Sequence, residues 1–104
     1  MKDIDLTQLN QIVNENTDKM FLYIYTPLCG TCNIAYKMLT VMEQLFPAVM
    51  FYRANINMFP DLAREWEITS VPALLYFEDG IEKSRCYAFF STPDLYEWMK
   101  NLIT

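Results

Sequence analysis

Apolar positions along this chain change spacing, from one in three or four to continuous short runs, and the changes mark its elements. After Asp5, Leu6, Leu9, Ile12 and Val13 recur at helical spacing. Residues 5–15 therefore read as an amphipathic helix with Asp5 as N-cap and Asn14, Asn16 and Thr17 ending it. "KMFLYIYT" (19–26) is an unbroken apolar and aromatic run, short for a helix and suited to a central strand buried on both faces, stopped by Pro27. From Cys32 onward, Ile34, Ala35, Met38, Leu39, Met42, Leu45 and Phe46 form one wide helical stripe that ends at Pro47. "VMFYRANI" (49–56) follows as a second strand, which completes a βαβ unit with parallel pairing.

Asn57 to Glu67 reads as a short helix, with Pro60 near its first turn and Leu62 and Trp66 on one face. A strand from Ala73 to Phe77, an "EDGI" turn and a strand from about Lys83 to Ala88 form a hairpin, because Asp-Gly suits a two-residue turn. Thr92 as N-cap, Pro93 at the first helical position, and Leu95, Trp98, Met99 and Leu102 on one face mark a final helix. The order α, β, α, β, α, β, β, α joins a parallel unit to an antiparallel hairpin, so one mixed sheet covered by helices is the economical packing.

Composition narrows the partners. The chain has 104 residues, enough for a single domain over 1–104, and 53% of them are hydrophobic, which supports a filled core. Acidic side chains outnumber basic ones 13 to 8 and the basic ones are scattered, which argues against nucleic acid. No apolar run approaches the ~20 residues that span a bilayer, and "MKDIDLTQLN" lacks the apolar block of a secretory signal. The expected location is the cytoplasm and the expected state a monomer without membrane contact.

Cys29 and Cys32 sit between the first long strand and the best-marked helix, at that helix's first turn. There, unpaired N–H groups and the positive dipole end favour a thiolate, the nucleophilic form of cysteine. Two intervening residues let one helical turn bring the sulfurs within bonding reach, with Gly30 permitting the turn. Cys29, at the loop's mouth, is the expected attacking sulfur and Cys32 the resolving one. Two other readings compete: half of a zinc site and a pair of inert core thiols. Zinc needs four ligands, and the chain offers only Cys86 besides and no histidine, so a metal site would have to be shared between two chains. Cys86, in the last predicted strand, reads as packing.

"CGTC" at 29–32, "ITSVPALLYFEDG" at 68–80 and the order of elements around them resemble the thioredoxin family over essentially the whole chain. The resemblance implies an α/β thioredoxin fold, with a central mixed sheet of four or five strands flanked by helices on both faces. It implies a thiol-disulfide oxidoreductase acting on protein disulfides with no bound cofactor or metal, recharged by a thiol or flavoprotein reductant. It further implies a cis Val71–Pro72 bond against the sulfurs, where Val71 and Pro72 bind an extended substrate segment. An adaptor that keeps the fold without turnover is the competing functional class.

Departures from the family pattern surround the thiols. Leu28 stands where the family carries Trp and Thr31 where it carries Pro, so the active-site loop of Leu28, Gly30 and Thr31 should set its own redox poise. Tyr23 replaces the family's buried acid, and a phenol with an ordinary pKa of about 10 cannot accept a proton at neutral pH. Cys32 is then expected to lose its proton to water or to the departing thiolate. Arg53, matching the acid's basic partner, is expected to stand without its acid.

Overall fold

The computed structural model describes residues 1–15, 18–87 and 91–104. In chain order the elements are β1 (Lys2–Asp3), α1 (Leu6–Glu15), β2 (Lys19–Tyr25), α2 (Gly30–Leu45), β3 (Met50–Asn55), a 3-10 turn (Ile56–Met58), α3 (Pro60–Glu65), β4 (Ala73–Glu78), β5 (Ile81–Cys86) and α4 (Thr92–Ile103). The strands form one five-stranded sheet in the order β1-β3-β2-β4-β5. β2 pairs parallel with β3 and antiparallel with β4, and β4 and β5 form the expected hairpin.

Strand alternation decides which helix covers which face. On β2, Phe21 and Tyr23 point to a cluster with Cys32, Ala35, Leu39 and Met42 of α2 and Leu95 and Met99 of α4. Met20, Leu22 and Ile24 point the other way, to Leu9 of α1, Phe59, and the partly buried Leu62 of α3. β2 is therefore buried on both faces, which is why its sequence shows no polar alternation. Ala35, Leu39 and Met42 of the expected stripe fix α2 against the strand it follows and so hold the two cysteines at a defined place above the sheet, whereas Ile34 and Leu45, expected on the same stripe, are exposed.

Local chemistry explains most boundaries. Asp5 accepts the Gln8 N–H through Oδ1 at 2.8 Å while Gln8 Oε1 accepts the Asp5 N–H at 3.0 Å, a reciprocal cap that starts α1. Asn16 and Thr17, expected to end this helix, lie outside the described residues. Asp79 and Gly80 have φ of 56° and 75°, as a two-residue turn with both central residues left-handed requires.

The structure departs from the sequence reading at four places. β1 is a fifth strand of only two polar residues, formed by pairing Lys2 with Tyr52 and Asp3 with Arg53. The helix expected over 57–67 is broken by Phe59, whose φ of −145° and ψ of 68° are not helical, because the residue before a proline is driven out of the helical region. β5 begins at Ile81, directly after the turn, and ends at Cys86; Ala88, the expected end, lies outside the described residues. The N-cap of α4 is Ser91 rather than Thr92: Ser91 Oγ accepts the Asp94 N–H at 3.1 Å, which puts Thr92 inside the first turn and Pro93 one position deeper.

Ser91→Ala is expected to lower the unfolding free energy by about 1 kcal/mol, measured by denaturant titration, whereas Thr92→Ala should change it by less than about 0.5 kcal/mol. Equal losses would contradict the assignment.

Candidate active site

The chain leaves the carboxyl end of β2 through a tight turn in which the Thr26 carbonyl accepts the Cys29 N–H at 3.3 Å. Pro27 occupies the second position of this turn, where its fixed φ is favourable. Cys29 follows in an extended conformation as the N-cap of α2, and its Sγ accepts the Cys32 N–H at 3.1 Å. A sulfur thus sits where a serine or aspartate oxygen usually caps a helix, and it faces the helix's positive end.

Cys29 and Cys32 are joined by a disulfide with their Cα atoms 5.2 Å apart. Cys32 is 2% exposed and Cys29 half-buried, so a reacting partner can reach Cys29 first. Leu28 beside it is 99% exposed, an apolar side chain held entirely in solvent at the mouth of the site. The Thr31 hydroxyl lies 3.2 Å from Cys29 Sγ, a second group able to donate to that sulfur and one that the family's proline could not supply. Gly30 plays a different part from the one expected: its backbone is not left-handed, and an added Cβ would meet nothing within 4 Å. The turn does not need glycine. A side chain at this position would stand in open space.

The Val71–Pro72 bond is cis, as the resemblance implied. Ala73, directly after it, pairs with Ile24 near the end of β2, so this bond lies at the same end of the sheet as the 26–29 turn. Val71 and Cys29 both pack against the cluster that contains Cys32.

Beneath Cys32, Tyr23 is 1% exposed and its hydroxyl donates to the Cys32 carbonyl at 2.5 Å. Burial pushes its pKa up to about 12, only partly opposed by Arg53, so the phenol keeps its proton across the neutral range. Tyr23 is therefore a brace for the first turn of α2. Arg53 does not lack an acid, contrary to expectation. It pairs with Asp3 of β1, Nη2 to Oδ2 at 3.3 Å, and lies over the rings of Tyr25 and Tyr36 at 5.3 and 4.9 Å. The Tyr25 hydroxyl donates to the same carboxylate at 3.1 Å. Sequence reasoning could not anticipate Asp3 because the strand that carries it has no apolar signal. Cys86 sits half-buried at the end of β5, opposite Leu74.

Tyr76, fully buried, is likewise pushed up to about 12, by burial and then by Glu78. Each folded phenol holds its proton more tightly than the unfolded chain does. The stabilisation is therefore complete below pH 10 and is lost as pH rises to about 12, at about 2–3 kcal/mol per phenol. Tyr23→Phe should cost about 1 kcal/mol at neutral pH, by removing the buried hydroxyl's bond to the Cys32 carbonyl, and should flatten part of the alkaline loss. Denaturant titrations across that pH range check both, and an unchanged alkaline slope would contradict the role of Tyr23.

Comparison with known proteins agrees with this geometry. The sequence model of the family Thioredoxin matches residues 1–101. The thioredoxin-like protein YusE of Bacillus subtilis is 44% identical over 100 residues, covering 96% of this chain and 92% of that protein. The crystal structure of oxidised mitochondrial thioredoxin 3 from Saccharomyces cerevisiae superposes with a TM-score of 0.82 at 25% identity, covering 97% of this chain and 94% of the other. Oxidised thioredoxin O2 from Arabidopsis thaliana, at 16% identity and a TM-score of 0.84 over 99% and 94% of the two chains, shares the fold. With a buried and a reachable cysteine bonded across the first turn of α2, this chain belongs to the thioredoxin family and is a thiol-disulfide oxidoreductase.

Proposed function

We propose that the protein reduces disulfides in protein substrates, with Cys29 as the attacking sulfur and Cys32 as the resolving one. The observation that carries this reading is the contact of Cys29 Sγ with the Cys32 N–H at the start of α2, combined with the burial of Cys32. In the reduced protein the Cys29 thiolate attacks one sulfur of a substrate disulfide. The substrate S–S bond breaks, a Cys29–substrate disulfide forms, and one substrate sulfur departs as a thiolate. Cys32 then gives its proton to water or to that departing thiolate and attacks Cys29 Sγ. The second substrate thiol is released, two electrons have passed to the substrate, and the Cys29–Cys32 disulfide remains.

Val71 and Pro72 offer backbone to an extended substrate segment, Leu28 supplies an apolar contact beside it, and the open space at Gly30 lets the segment approach. A thiol or flavoprotein reductant restores the dithiol. The acidic chain acts as a monomer in the cytoplasm, where a reducing poise sets the direction of exchange.

Insulin reduction with dithiothreitol as donor tests the reading directly. Cys29→Ser should abolish turnover, and Cys32→Ser should accumulate covalent mixed disulfides visible on non-reducing gels. A Cys32→Ser protein that turns over normally would overturn the assignment of roles, and an inert wild-type protein would favour an adaptor. Thr31→Val removes the hydroxyl at nearly constant volume. It should slow iodoacetamide alkylation of reduced Cys29 at neutral pH by about threefold, the worth of one modest hydrogen bond to the thiolate. An unchanged alkylation rate would remove Thr31 from the chemistry.

A further inference from the structure

The segment leading from α3 to the cis peptide has no regular structure, yet it is tied to the edge strand β5 at several points. Past the Trp66 C-cap of α3, Glu67 stands at φ 54°, and its N–H bonds the Arg64 carbonyl at 3.1 Å while the Ile68 N–H bonds that of Ala63 at 2.9 Å. This is a helix stop in which glycine usually takes the left-handed position. The Glu67 carbonyl is thereby turned toward β5, where it accepts from Arg85 Nη1 at 3.2 Å and from the Tyr87 hydroxyl at 3.3 Å. The Tyr87 oxygen in turn accepts from Arg85 Nη1 at 2.9 Å and from the Thr69 N–H at 3.5 Å. Arg85 is itself held by a two-pronged pair with Glu82, Nε to Oε2 at 2.5 Å and Nη2 to Oε1 at 2.7 Å. Tyr87 also packs into the cluster that takes in Trp66, Ile68 and Val71.

We propose that Glu82, Arg85 and Tyr87 form a clasp that fixes residues 67–71 in advance of substrate binding, and so act as positioning residues for protein substrates. The proposal rests on the reading above that the backbone at Val71 binds an extended segment. A strand-like ligand gains affinity from backbone hydrogen bonds only if the receiving backbone is already ordered, since ordering it on binding costs roughly 1 kcal/mol per residue. Attack by Cys29 on a small disulfide needs no such platform. The clasp should therefore act on substrates according to their size and leave the sulfur chemistry alone.

Tyr87→Phe keeps the ring and removes the hydroxyl that links Arg85, Glu67 and Thr69. We expect KM for insulin to rise about fivefold with kcat little changed, the worth of roughly one hydrogen bond. The rate with oxidised glutathione and the alkylation profile of Cys29 should be unaltered, and Arg85→Gln should shift the insulin KM in the same direction. Amide hydrogen exchange of Ile68, Thr69 and Val71 should quicken about fivefold in Tyr87→Phe while core amides of β2 keep their protection. An unchanged insulin KM, or equal losses on insulin and on oxidised glutathione, would overturn the clasp. If the wild-type protein proves inert toward insulin, the function proposed above fails, and the exchange measurement still decides: unaltered exchange over 68–71 would overturn the clasp by itself.

Discussion

The hydrogen bond from the Cys32 N–H to Cys29 Sγ is the contact on which the site depends. It joins three levels of the structure. The chain makes a tight turn at Pro27, the turn delivers Cys29 to the cap position, and the cap places a sulfur where the first amides of α2 converge. None of this would hold if α2 could slide along the sheet. Ala35, Leu39 and Met42 prevent that by packing on the face of the sheet that carries Phe21, Tyr23, Leu74 and Tyr76, and each large buried side chain contributes roughly 1.5–3 kcal/mol. A core contact three turns down the helix therefore helps to decide where Cys29 Sγ sits.

The second feature is the ground beneath the disulfide. Where the family pattern has an acid, this chain has a phenol that stays protonated and donates to the Cys32 carbonyl. The substitution exchanges a group that could move a proton for one that braces the backbone. The arginine that would have faced the acid is occupied instead by Asp3, across the first strand, and by two aromatic faces. On the mechanism proposed above, with Cys32 as the resolving sulfur, its proton then leaves by way of solvent or substrate, since a phenol that keeps its own proton cannot take it. This separates the rigidity of the site from its proton transfer, two tasks that one buried carboxylate would combine.

Elements with strong periodicity were legible from the sequence. The continuous apolar run of β2, the stripe on α2, the Asp79-Gly80 turn and the amphipathic α4 were placed within a few residues, because burial and turn chemistry leave direct marks in the residue order. What escaped depends on contacts between distant segments. β1 exists only because β3 offers it a pairing edge, and neither Lys2 nor Asp3 carries a strand preference. Ser91 and Thr92 are adjacent and chemically equivalent caps, so only the path of the chain chooses between them. The two cysteines, Leu28, Gly30 and Thr31 could be located from the motif. That Thr31 reaches the sulfur and that Gly30 leaves open space required coordinates. The network of Glu82, Arg85 and Tyr87 with the 67–69 backbone had no sequence signal, since it joins residues up to 20 positions apart.

Ultraviolet absorbance of the thiolate, followed against pH in the reduced protein and its single-cysteine variants, reaches the central claim most directly. The account predicts that one sulfur ionises at lower pH than free cysteine, whose pKa is about 8.5, and that this early step vanishes in Cys29→Ser but persists in Cys32→Ser. Two thiols that both ionise at or above the free-cysteine range, or an early step that survives the loss of Cys29, would contradict it.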